Sequence, residues 1–308
     1  MDIPVLSDCK KLSQPPRRFL LFSACNVVSW YSLVGPVLVL FGRKIEMPPS
    51  WIGFLISFMP LSMILVLVTI PLVTRLGSKK LMIITWVLRN LLACLVFLVP
   101  WALSTHGNHA AWLVLLAAVL GFCVVRAAGV GGWFPWLCDV VPEKEQSRFF
   151  STEMALAQFC IVVVTLAQAL ILRGDPGMGR FLFINGFGVA AGLFSAVWLS
   201  RVPGGQATYD PLAQVSSFTA YLVAWRDRSY MYFVVTTALC FSCFAWINAS
   251  VVLYMRDALN FADTPIMLIM AGGNLSVLLT VHFWGRFADH NGTGHAALLA
   301  MIGHSVGA

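Results

Sequence analysis

Two arginines stand inside otherwise uncharged apolar runs. Arg89 interrupts Leu81–Ser104, a run of 24 residues, and Arg126 interrupts Ala110–Cys138, a run of 29. A charge carried into a bilayer costs at least about 2.5 kcal/mol, so such a residue faces a cavity or a partner far more often than lipid. The competing role is structural, with the guanidinium snorkelling or bonded to backbone carbonyls. Asn26, Trp30 and Tyr31 in the first apolar run, with Trp246 and Asn248 in the seventh, are polar or amphipathic groups in otherwise apolar surroundings. An Asn amide in lipid needs a partner, so these groups belong in buried positions, where interhelical bonding is one role open to them. Asp139, Glu143, Glu145 and Glu153 read as a solvated face, with Glu153 the one placed to carry a proton.

Other chemistry finds no foothold. Cys240 and Cys243 have redox spacing but sit in the middle of an apolar run. Gly129-Val130-Gly131-Gly132 lacks the Gly-Lys-Ser/Thr sequel of a phosphate loop. The six His form no H-x-x-x-H pair within an apolar run, and no Ser, His and Asp share a locale. No metal or organic cofactor is therefore expected, and coupling to a proton or another ion stays open.

The elements that must position these residues are membrane helices. Of 308 residues 59% are hydrophobic and only 11% charged, too few to cover a soluble surface. A span needs about 20 mostly apolar residues. Runs of that kind cover 19–42, 51–74, 81–104, 110–138, 154–172, 181–200, 229–255 and 264–285, and a ninth starts at 296. The run 110–138 is too long for one straight helix. Gly188 and Gly192 suit close helix contact. The expected fold is an all-α polytopic bundle of eight full spans and a ninth cut short.

Lys and Arg in the loops set the orientation. With the N-terminus inside, the inner loops hold thirteen of them and the outer loops five. The formal charge of +7 thus faces the cytoplasm and anionic lipid rather than nucleic acid. By this count Arg89 and Arg126 both lie toward the cytoplasmic side. The first 18 residues are polar and too unlike a signal peptide to be one.

The chain also repeats itself. Val39-Leu40-Phe41-Gly42-Arg43 is echoed by Val252-Leu253-Tyr254-Met255-Arg256. Each is followed by a loop with Pro, an apolar span, and a tight loop with Gly77 or Gly292. Spans one and seven run the same way, so the repeat is parallel, as in two-bundle transporters. The organisation expected is a cytoplasmic tail over 1–18, a first six-helix bundle over 19–201, a cytoplasmic linker over 202–228 and a partial second bundle over 229–308. Within the linker, 216–225 reads as a short amphipathic helix at the membrane surface.

These features together resemble the major facilitator superfamily. Gly285-Arg286-Phe287-Ala288-Asp289-His290-Asn291-Gly292 is similar to that family's cytoplasmic loop signature, G-x-x-x-D-R-x-G, with His290 in place of Arg. The first-half copy keeps Gly77, Lys79 and Lys80, while Thr74 and Ile70 stand at its Asp and first Gly positions. Val125–Gly132 resembles the span-four arginine motif with its glycine spacing shifted by one, and Trp136–Pro142 with Arg148-Phe149-Phe150 looks like the loop that follows in bacterial members. The resemblance implies twelve spans, so the chain reads as truncated within the ninth and incomplete as given. It implies that Arg126 faces a central cavity, with Arg89, Asn26, Trp30, Tyr31, Trp246 and Asn248 as further cavity or coupling residues. It also makes Gly77, Lys79, Gly285, Arg286, Asp289 and Gly292 a conformational loop motif, in which the Asp289 carboxylate caps a helix or pairs with an Arg.

The function implied is secondary active transport of a small solute by alternating access, not enzymatic turnover. The expected setting is the inner membrane of a bacterium, with the bilayer and the solute as partners and the oligomeric state open. A receptor or scaffold of the same fold is the alternative, and a membrane-embedded enzyme a more distant one. The scarcity of charges within the spans points to a neutral or amphipathic solute.

Overall fold

The structure is a computed structural model that describes residues 13–207 and 225–307. The described residues form helices and no strands. The amphipathic helix expected over 216–225 falls, all but its last residue, outside the described residues, as do Lys10 and Lys11.

The first span is two helices, α1 (Gln14–Leu33) and α2 (Pro36–Lys44). Both begin with Pro in the first turn, where its missing N–H costs nothing. Span two is α3 (Pro49–Ser62) and α4 (Leu65–Leu76), with Pro60 in the last turn of α3. Bonds of the i→i+3 kind, from Met63 N–H to Pro60 O and from Ile64 N–H to Leu61 O, carry the chain across the break. Span three is α5 (Ser78–Ala93), a 3₁₀ stretch (Cys94–Leu98) and α6 (Val99–His106). The long fourth run divides at Gly131-Gly132 into α7 (Asn108–Val130) and α8 (Trp133–Val140). Then come α9 (Glu143–Ile171), α10 (Met178–Ser200), α11 (Arg228–Asp257), α12 (Asp263–Asn291) and α13 (Thr293–Gly307). Asp227 starts α11 by accepting the N–H groups of Ser229 and Tyr230 at 2.9 and 3.2 Å.

Six helical stretches among the described residues are long and apolar enough to cross a membrane: 14–44, 78–106, 108–130, 149–171, 178–200 and 263–281. Spans two and seven, each expected in full, do not join them: the break in span two leaves the shorter apolar helix Pro49–Ser62, and α11 has several side chains outside the described residues. Large apolar side chains such as Leu170, Phe183 and Leu113 point outward, where hydrocarbon replaces water as their solvent.

Packing depends on small residues, because lipid tails are as apolar as leucine and give helices no hydrophobic reason to associate. α10 lies along α1, and Gly188 and Gly192 face Ser32 and Ser29 across the contact. A Cβ at Gly188 would stand 2.6 Å from that of Ser32. α5 lies along α7, with Gly129 against Thr85. α12 lies along α9.

Alternate loops gather at opposite ends. At one end Ser13 donates to Glu145, Arg18 to the Arg201 carbonyl and Lys79 to the Val202 carbonyl. At the far end Asn108 donates to Glu46, and Lys44 to Asp175.

Candidate functional site

Three helices bring one residue face each to a common point. Asn26 and Trp30 sit four apart on α1, Trp86, Arg89 and Asn90 share a face of α5, and Phe122 and Arg126 sit four apart on α7, spacings that place side chains one above another. The Asn26 amide oxygen accepts from Trp86 Nε1 at 3.1 Å and from Arg89 Nη2. The Arg89 guanidinium lies over the Trp86 ring at 4.2 Å and the Phe122 ring at 4.9 Å. Phe122 in turn contacts Trp30, ring centroids 5.9 Å apart, and the Arg126 guanidinium covers Trp30 at 4.3 Å. Arg126 Nη1 also reaches the Met63 sulfur at 3.6 Å. The sequence-derived pair Arg89 and Arg126 thus belongs to one cluster with Asn26 and Trp30.

The two arginines differ in access. Arg89 is fully buried at 0% exposure, and its Nε and Nη1 have no hydrogen-bond partner. Arg126 is half-buried. The two guanidinium groups lie on rings that touch, Arg89 over Phe122 and Arg126 over Trp30. Among the described residues neither forms an ion pair; the carboxylates that do are Asp175, Asp257 and Asp263. A desolvated cation–π contact contributes about 2 kcal/mol, whereas taking an ion out of water costs several. Aromatic faces therefore offset only part of the burial of two like charges.

A second polar network braces the cluster from behind. Asn90, also fully buried, donates to the Trp86 carbonyl at 2.7 Å and accepts from Ser29 at 3.3 Å. Glu153, expected on a solvated face, is instead half-buried and accepts from Ser23 at 2.8 Å, because α9 turns it toward α1.

The remaining sequence-derived residues lie elsewhere. Tyr31 is one position on from Trp30, about 100° round the helix. Its carbonyl accepts from Gln168 of α9 at 3.3 Å. Trp246 and Asn248 are on α11, and their side chains lie outside the described residues, as do those of Arg286 and Asp289. Gly285 lies in α12. Gly77 and Gly292 occupy equivalent tight turns with φ of 81° and 84°, a region open to glycine at little cost. Lys79 Nζ donates to the Val202 carbonyl at 2.6 Å and its N–H to the Gly205 carbonyl at 2.9 Å. Trp136 Nε1 donates to the Pro203 carbonyl at 2.8 Å. The first-half loop residues therefore hold the chain that leaves α10.

Sequence reasoning missed Trp86, Phe122 and Met63, whose types are those of ordinary core. It also missed a clasp at the far end. Arg43 at the end of α2 pairs with Asp257 at the end of α11 at 2.9 Å, and Arg256 pairs with Asp263 at 2.9 Å. Thr264 donates to the Leu172 carbonyl. Lys44 pairs with Asp175 at 3.0 Å, and its hydrogen bond and charge hold that exposed carboxylate below its usual range. Beneath these contacts Val252, Met255, Ile266 and Met267 join the same buried cluster as Val39, Leu40 and Phe41. The two copies of the repeated span end thus meet.

The family model described as Major Facilitator Superfamily matches residues 19–308. No curated protein matches the chain.

Proposed function

The chain belongs to the major facilitator superfamily, and from that premise we propose that it is a secondary active transporter moving a small solute by alternating access. The supporting observation is how α11 and α12 meet the first six spans. Their buried residues, Val252, Met255, Asp263, Ile266, Met267 and Ala271, gather toward the far end. Toward the other end Tyr232, Phe233, Leu279 and Phe283 are exposed. A clasp at one end, with α11 and α12 more exposed toward the other, fits one of the two arrangements that rocking bundles exchange. The Arg43–Asp257 ion pair, which joins the first six spans to α11, is partly exposed and individually weak, so such a clasp can open. The Arg126–Trp30 cluster lies on α1 and α7 between the two ends.

The test is flux. The protein in proteoliposomes should accumulate solutes from a radiolabelled panel when a proton or sodium gradient is imposed, and the accumulation should collapse with an ionophore. Flux no greater than in empty liposomes would leave the receptor or scaffold reading in its place.

We also propose that the N-terminus is cytoplasmic, as the loop charges indicate. Asn108 then lies outside, beside Glu46. A single Cys at Asn108 of a Cys-free variant should react with an impermeant maleimide in intact cells. Labelling that appears only after lysis would reverse the orientation.

A further inference from the structure

We propose that Arg126, backed by Arg89, is an anion-binding element of the transport site, and that the transported solute is a small organic anion bearing a carboxylate or phosphoryl group. This rests on the transporter reading above and replaces the neutral solute that the scarcity of membrane charges suggested.

The argument starts from unspent donors. A guanidinium offers five N–H groups and accepts nothing. Arg89 is fully buried, yet only Nη2 has a partner, the Asn26 oxygen, while Nε and Nη1 have none. Arg126 donates to the Met63 thioether, a weak acceptor, at 3.6 Å. Around both lie ring faces rather than carboxylates: Trp86 and Phe122 for Arg89, Trp30 for Arg126. Two like charges on rings that touch, Arg89 over Phe122 and Arg126 over Trp30, raise the local potential and favour an anion beside them. A carboxylate or phosphoryl group meets a guanidinium fork with two parallel bonds, which an ammonium cannot reproduce.

The difference in access divides the roles. Arg126 is half-buried and reachable, so it contacts the solute. Arg89 is sealed behind Asn26, Trp86 and Phe122, and acts through its charge as a positioning residue. Trp30, held under Arg126, supplies the apolar wall against which the body of the solute would lie.

The experiment is equilibrium binding, separate from flux. Purified 308-residue chain in phosphatidylcholine nanodiscs is titrated with radiolabelled succinate, benzoate and inorganic phosphate at constant ionic strength. Saturable binding of at least one anion is expected, displaced by the other anions and not by uncharged succinamide. Arg126→Gln should weaken it roughly 30-fold or more, the loss expected when one partner of a buried charge contact is removed. Arg126→Lys keeps the charge without the fork and should fall between the two, with an unchanged gel-filtration profile that excludes misfolding. Absence of saturable anion binding, equal competition by succinamide, or an Arg126→Gln affinity within threefold of the parent would overturn the proposal. Loss of succinate and phosphate binding when phosphatidylglycerol replaces phosphatidylcholine would assign the site to a lipid headgroup and also overturn it. Anion binding without flux would instead defeat the transporter reading and leave the site assignment standing.

Discussion

Arg89→Met is expected to leave the protein at least as stable as the parent while reducing anion uptake by tenfold or more. The two halves of that expectation have the same origin. Arg89 is fully buried, with two nitrogens unpartnered and no carboxylate paired to it among the described residues. An uncompensated buried charge weakens a fold, and replacing buried ionic groups by apolar side chains of similar volume is often neutral or stabilising by about 1–4 kcal/mol. Methionine follows the same path between Trp86 and Phe122 and keeps a favourable sulfur–ring contact. Asn26 retains the Trp86 indole as donor, so no buried acceptor is orphaned. The cost falls on function, because the positive charge behind Arg126 is removed. Thermal unfolding in detergent and uptake into proteoliposomes, measured on one preparation, check both halves. A drop in the midpoint of more than about 5 °C would show that Arg89 is a structural clamp whose ring contacts and Asn26 bond outweigh its desolvation.

That arginine was visible in the sequence, and its surroundings were not. A charge in an apolar run is rare enough to single out by inspection. Its partners Trp86 and Phe122 stand among eleven Trp and 22 Phe, so their type carries no signal. Only the i, i+3 spacing from Trp86 to Arg89 and the i, i+4 spacing from Phe122 to Arg126 hint that they share faces. That hint becomes a site once α1, α5 and α7 are known to converge. The far-end clasp is hidden for a related reason. Arg43 and Asp257 are more than two hundred positions apart, and each alone reads as a loop charge. The internal repeat marked both segments, yet it could not say that their ends touch.

Helix existence was legible from apolar run length, and helix continuity was not. The run 19–42 is free of charge throughout but breaks at Val34-Gly35 before Pro36, and 81–104 contains a 3₁₀ stretch just before Pro100. Lipid solvates apolar side chains on a straight helix and a kinked one equally well, so composition does not register the break. Proline does, since it removes a backbone donor. The fourth run was the exception, because its length alone required the interruption that Gly131 and Gly132 provide.

Gly192→Leu should unfold the first bundle at a midpoint roughly 5 °C or more below the parent, an overpacking cost near the upper end of about 1–3 kcal/mol. A Cβ on Gly192 would lie 2.0 Å from the Asn90 amide oxygen and 2.5 Å from the Ser29 hydroxyl. Neither can yield cheaply. Asn90 is fully buried and tied to the Trp86 carbonyl, and Ser29 is equally buried on α1. The whole of α10 must therefore back away from α1, and the close approach that holds two lipid-solvated helices together is lost. Gly179 on the same helix has nothing within 4 Å of its ideal Cβ, so Gly179→Leu should be neutral or slightly stabilising by helix propensity. The pair separates packing from propensity, because both substitutions improve the latter. The displacement would also reach the arginine cluster, since Asn90 adjoins Arg89 and bonds the carbonyl of Trp86, whose ring carries the guanidinium. Anion affinity should accordingly fall in Gly192→Leu and stay unchanged in Gly179→Leu. Equal midpoints for the two variants would mean that α1 and α10 do not pack through this glycine, and the placement of Asn90 behind the site would fail with it.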